Sequence, residues 1–93
     1  MIKSFQNASA KAAWERRFIK GVPNDIMKVA NRKLTQIHNA RSLDDLRIPP
    51  GNRLERLSGD RKGQHSIRIN DQWRVCFCWR SGDAYDVEIV DYH

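Results

Sequence analysis

The sequence predicts an α+β domain, with an N-terminal strand and two helices packed on one face of a mostly antiparallel sheet. Three observations carry this. Gln64–Ile69, Trp73–Trp79 and Tyr85–Tyr92 are β-rich runs, separated by Asn70-Asp71-Gln72 and Arg80-Ser81-Gly82-Asp83-Ala84. The N-terminal part instead spaces its apolar residues as helices do. At 93 residues the chain makes one domain, 1–93, with a modest core.

Met1–Phe5, with Ile2 and Phe5 apolar, is read as the first strand. Asn7 or Ser9 caps a helix expected to run to about Lys20, with Ala10, Ala13, Trp14 and Phe18 on its inner face. Gly21 suits its C-terminal stop. Asn24 is the expected N-cap of a second helix, and Asp25 favours its first turn. Ile26, Ala30, Leu34 and Ile37 form its core stripe, while Lys28, Arg32 and Lys33 face out. His38 near its end fits a surface or dipole-compensating histidine. Leu43–Leu46 predicts one further helical turn, and Ile48-Pro49-Pro50-Gly51-Asn52 breaks the pattern. Leu54 and Leu57 anchor an extended segment beyond it.

The hairpin registers follow from the apolar pattern. A three-residue first loop sets Ile69 opposite Trp73, Ile67 opposite Val75, His65 opposite Phe77 and Arg68 opposite Arg74. A two-residue loop would mix polar and apolar residues on both faces, and a buried face specifies register strongly. A five-residue second loop pairs Trp79 with Tyr85, Phe77 with Val87, Val75 with Ile89 and Gln72 with Tyr92. The core face then includes Tyr85. The opposite face, expected to be open, carries Ser66, Arg68, Arg74, Cys76, Cys78, Glu88 and Tyr92. Two arginines directly opposed repel. Either Glu88, diagonal to Arg74, neutralises them, or the pair awaits a polyanion such as a phosphate.

Seventeen Lys/Arg against eleven Asp/Glu give a net charge of +6. The excess is uneven: residues 1–41 hold nine basic and two acidic side chains, a net +7. Such a surface favours nucleic acid or an acidic protein partner, or is a solvated helix face. Cys76 and Cys78, the only cysteines, are spaced for neither a disulfide nor a zinc site and are expected to be reduced and buried, which suits the cytosol. No signal peptide and no membrane-length apolar run stand in the sequence, so no membrane association is expected.

Several motifs together resemble a known family. They are Leu57-x-Gly59-x-Arg61-x-Gly63, Ser66-Ile67-Arg68-Ile69-Asn70, Gln72-Trp73-Arg74-x-x-Phe77-x-Trp79 and the closing Asp91-Tyr92-His93. With Ile2-x-Ser4-Phe5 at the start, they resemble HigB-type toxins of the RelE/ParE toxin–antitoxin superfamily over nearly the whole chain. The resemblance implies a RelE-like fold and a cytoplasmic toxin that enters the ribosomal A site and cleaves translated mRNA. It implies a HigA-like helix-turn-helix antitoxin as partner, with operator DNA reached only through the toxin–antitoxin complex. It implies no cofactor and no metal.

Such cleavage uses the ribose 2′-OH as nucleophile on the adjacent phosphate. It needs a base, an acid and cations for the transition state. Arg68 and Arg74 are the expected phosphate clamp, and Tyr92 stacks on a base or positions the nucleophile. His93 is a candidate acid or base, and Asp91 orients it or takes a proton. Arg53, Arg56, Arg61, Lys62 and Ser66 are expected on the RNA. Lys11, Arg16, Arg17, Lys20, Lys28, Arg32 and Lys33 are expected to dock on the ribosome. One departure from the family pattern stands out: Glu55 and Ser58 occupy positions that are often His and Lys. A ParE-like gyrase-inhibiting toxin without catalysis, or a basic RNA-binding module, remain the alternatives.

Overall fold

The computed structural model describes residues 1–91; Tyr92 and His93, with the roles expected of them, lie outside the described residues. Two helices, α1 (Ala8–Trp14) and α2 (Asn24–Asn39), precede four strands: β1 (Glu55–Arg56), β2 (Gln64–Arg68), β3 (Trp73–Arg80) and β4 (Asp83–Asp91). The strands form one antiparallel sheet in the order β1-β2-β3-β4. Both helices pack on the same sheet face. Their Ala10, Ala13, Ala30, Leu34 and Ile37 meet Ile67, Val75, Phe77, Val87 and Ile89 in one buried core.

The N-terminal segment pairs with β4, but as two isolated parallel bridges, Ile2 with Ala84 and Phe5 with Val87, rather than as a continuous strand. The interruption has a cause on β4. Asp86 sits at φ 54, a left-handed backbone, and its N–H turns to the Ser4 hydroxyl at 2.8 Å. A bulge of this kind removes a residue from the ladder.

Asn7 caps α1: its Oδ1 accepts from Ala10 N at 3.0 Å while its Nδ2 donates to Ile89 O at 2.9 Å, tying the helix start to β4. The helix ends six residues earlier than the apolar spacing suggests, at Trp14 rather than Lys20. Arg16 adopts φ 60, Arg17 N reaches back to Ala12 O at 2.8 Å and Arg16 N to Ala13 O at 3.2 Å. This is a Schellman stop with arginine where glycine is usual. Asn31 of α2 reinforces it, donating Nδ2 to Ala13 O at 2.8 Å. Phe18 therefore leaves the core stripe and is 52% exposed.

Asn24 is the first residue of α2 rather than its cap; Pro23 occupies the cap position without a side-chain bond. Proline cannot continue a helix backwards, so it marks where α2 begins, and Asp25 in the first turn complements the helix dipole. His38 stands in the last turn of α2, as expected, but is half-buried. Its Nδ1 accepts from Ile2 N at 3.2 Å and its ring lies 4.9 Å from that of Trp14, so it fastens the N-terminal segment. The turn at Leu43–Leu46 is a 3-10 helix with a capping box between Ser42 and Asp45.

The first hairpin has the expected register, Ile67 opposite Val75 and Arg68 opposite Arg74. Asn70 organises its loop, its Oδ1 accepting from Gln72 N at 2.9 Å and Trp73 N at 2.7 Å. The second hairpin differs from expectation. Its turn is two residues, Ser81 and Gly82, at φ 51 and 82. Two successive left-handed residues match the twist of the strands they join. Arg80 then pairs with Asp83, Trp79 with Ala84 and Cys78 with Tyr85. The irregularity between Cys76 and Cys78 absorbs the offset, so Val75 still faces Ile89. Tyr85 is thus moved off the core face to the side of Cys78, where the Arg80 guanidinium stacks 4.3 Å above its ring.

Candidate active site

The face opposite the helices is not open at its centre. Ser66 and Cys76 are completely buried and Arg74 is 9% exposed. The covering comes from the segment that includes β1 and the short Gly59–Arg61 helix. β1 places Glu55 opposite Ser66, and hence on the Arg74 side. Arg61 reaches Glu88 in a short ion pair and Gln64 Oε1 at 3.1 Å.

Arg74 is held from several sides. Its Nε donates to Ser66 Oγ at 2.8 Å, Nη2 donates to Arg53 O at 2.8 Å, and Nη1 lies 3.7 Å from Glu55 Oε1. Arg68, its cross-strand neighbour, ion-pairs with Asp71 in the hairpin loop. That guanidinium lowers the Asp71 carboxyl below its ordinary range, by hydrogen bond first and by charge second. The repulsion between the two arginines is therefore relieved by Glu55 and Asp71. Glu88 instead serves Arg61.

The carbonyl that orients Arg74 is itself fixed. Arg53 sits at φ 45, and the residue before it, Asn52, is fully buried. Asn52 Nδ2 donates to Gln36 Oε1 at 2.9 Å and Leu46 O at 3.2 Å, and its Oδ1 accepts from Lys33 Nζ at 2.5 Å. A continuous polar path thus runs from α2 through Asn52 to Arg53 and Arg74. Lys33, expected on the outer face of α2, is half-buried on this path. Burial lowers its pKa, and Arg32 and Arg68 add to the effect. Nothing in the sequence marks Asn52 as more than a turn residue within a Pro-Pro-Gly-Asn cluster.

The other expected site residues divide. Ser66 is buried beneath Arg74 and holds it, so it is not placed to touch RNA. Arg56 pairs with His65 and so projects to the side of Phe77, away from Arg74. Arg61 is engaged with Glu88, whereas Lys62 and Arg53 are exposed. Asp91 pairs with Trp73, one step beyond the Arg74–Val90 pair, and accepts from Gln72 Nε2 at 3.2 Å. The expected Gln72–Tyr92 pairing and the place of His93 fall outside the described residues. Of the departing positions, Ser58 is exposed and Glu55 belongs to the Arg74 cluster.

Burial pushes the Cys76 thiol up to about 11, so it stays protonated at neutral pH, as a core cysteine does. Burial also lowers the His65 imidazole, helped by the Arg56 and Arg47 guanidiniums. As pH falls below about 6.5, the unfolded chain then takes up this proton before the folded one, and stability drops. His65→Gln should flatten the stability–pH profile on the acid side of that value. Urea unfolding at a series of pH values checks it; an unchanged slope would assign the effect elsewhere.

Over its full length the chain superimposes on 98% of a chain from the YoeB–YefM complex of Staphylococcus aureus, with a TM-score of 0.60 at 17% identity. The two share a fold of the RelE kind. Residues 3–93 match the model of the HigB-like toxins, the RelE-like toxins of HigB type II toxin–antitoxin systems, and the chain belongs to that family. Among curated relatives, it is 36% identical to the endoribonuclease HigB of Proteus vulgaris over 93 residues, the whole of both chains. It is 48% identical to toxin HigB-1 of Vibrio cholerae serotype O1 over 63 residues, 68% of this chain and 66% of that one. Among the described residues, no helix is long and apolar enough to cross a membrane.

Proposed function

We propose that the chain is a ribosome-dependent endoribonuclease that cleaves mRNA and so halts translation in the cytoplasm. The observation that carries this is the apposition of Arg68 and Arg74 at one end of the sheet, beside the strand that leads into Asp91-Tyr92-His93. The full-length likeness to a relative named an endoribonuclease supports it.

The 2′-oxygen attacks the adjacent phosphorus and the 5′-oxygen of the next nucleotide leaves. The products are a 2′,3′-cyclic phosphate and a 5′-hydroxyl end. Negative charge gathers on the phosphoryl oxygens in the transition state, where preorganised guanidiniums act most strongly. Arg74 is preorganised by Ser66 and the Arg53 carbonyl. Its Glu55 contact, at 3.7 Å, is an ion pair without a hydrogen-bond distance, which a phosphate can replace. Arg68 supplies the second positive charge. Tyr92 stacks on a base or positions the nucleophile, His93 exchanges the proton, and Asp91 orients it. Arg53 and Lys62 contact RNA from the exposed rim.

The basic N-terminal surface docks on ribosomal RNA through Lys11 of α1, Arg16, Arg17 and Lys20 of the segment after it, and Lys28 and Arg32 of α2, a role that orients without choosing sequence. The partner is an antitoxin of the HigA helix-turn-helix kind, through which operator DNA is reached.

Primer extension on translating ribosomes tests the reading. New mRNA ends should appear within minutes of adding the protein, and purified mRNA without ribosomes should be cut hardly at all, because the ribosome must orient the 2′-OH. Growth arrest with no new ends on ribosomes would refute nuclease action. Efficient cleavage of naked mRNA would remove the ribosome from the mechanism.

A further inference from the structure

The early end of α1 leaves a groove whose apolar floor and Phe18 wall have no part in the nuclease reading, although the cations on its rim also belong to the surface proposed to dock on the ribosome. It lies between the Arg16–Phe18 segment and α2, encloses about 340 Å³, and is lined by Ala13, Arg16, Arg17, Phe18, Met27, Lys28 and Asn31. Its floor is apolar: Ala13 and Met27 are buried to 1% and 2% exposure. One wall is Phe18, among the few large apolar side chains left in solvent. The rim is cationic, with Arg16 and Lys28 exposed and Arg17 partly matched by Glu15 at 2.7 Å.

We infer that this groove seats an apolar side chain from an acidic segment of the antitoxin. An apolar floor gains from an apolar occupant, and the cations around it select carboxylates on either side of that anchor. RNA fits less well. A base stacked on Phe18 would need polar groups to meet its edge, and the Asn31 amide is turned to the Ala13 and Trp14 carbonyls. Arg16 adds a further sign. It occupies a left-handed backbone position that glycine would take without strain, and so keeps a cation at the rim.

The inference rests on the toxin–antitoxin class of the chain and not on its nuclease reading. The binding experiment below therefore stands even if no cleavage is found. The whole 93-residue chain, inactivated by Arg74→Ala, is titrated calorimetrically with its cognate antitoxin. Phe18→Ser should weaken binding about tenfold or more, and Lys28→Glu should weaken it with a loss of salt dependence. Phe18 is half in solvent, so its replacement leaves the core intact. In the active chain, Phe18→Ser should leave mRNA cleavage on ribosomes unchanged. Unaltered antitoxin affinity in both variants would overturn the assignment. Lost ribosome binding in Phe18→Ser, with antitoxin binding kept, would hand the groove to RNA.

Discussion

Arg74→Ala is expected to lower the rate of mRNA cleavage on ribosomes by roughly a hundredfold, about 3 kcal/mol of transition-state stabilisation. The effect is large because the guanidinium is fixed before substrate arrives. Ser66 and the Arg53 carbonyl hold two of its nitrogens at 2.8 Å, so little ordering remains to be done during the reaction. Arg74→Lys should recover only a small part of the rate, since an ammonium cannot meet both acceptors and a phosphate in one plane. Circular dichroism of each variant separates lost chemistry from lost fold. Glu55→Gln should act in the opposite direction: with the competing carboxylate gone, Arg74 meets the phosphate more readily. Full cleavage by folded Arg74→Ala would remove the clamp from the mechanism. A fall of a hundredfold in Glu55→Gln would make Glu55 the base for the 2′-OH.

Asn52→Leu is expected to destabilise the fold by about 2–3 kcal/mol, the range for stranding buried polar groups. The side chain is fully buried, and its loss deprives Leu46 O, Gln36 and Lys33 Nζ of a partner at once. In a domain of this size that corresponds to a fall in Tm of roughly 8–24 °C. Cleavage measured well below the melting temperature should fall as well, because the Arg53 carbonyl that aims Arg74 loses its anchor on α2. Asn52→Asp restores the acceptor for Lys33 but not the donors to Gln36 and Leu46, so it should recover stability only in part. Thermal unfolding followed at 222 nm, a helix signal, gives the answer; a melting temperature within 2 °C of the parent, about half a kcal/mol or less, would show that Asn52 is not the hub the geometry indicates.

The stripe of α2 and the register of β2 against β3 were legible in the sequence. Each has one face that must be buried, and a one-residue slip would expose it. The Arg68–Arg74 apposition follows directly from that register. The second hairpin was not legible in the same way. A five-residue loop keeps its apolar residues on one face, and only the left-handed Ser81-Gly82 turn and the bulge at Asp86 decide that Tyr85 leaves that face. The end of α1 is a Schellman stop at Arg16, where no glycine announces it, and Asn31 on a different helix reinforces the stop by taking the carbonyls there. The partners of Arg74 likewise come from Glu55, Arg53 and Ser66, which meet only when β1 lies against β2. Burial patterns are properties of one segment and can be read along it. Ion pairs and polar anchors join segments distant in the chain, so they exist only once the fold has brought those segments together.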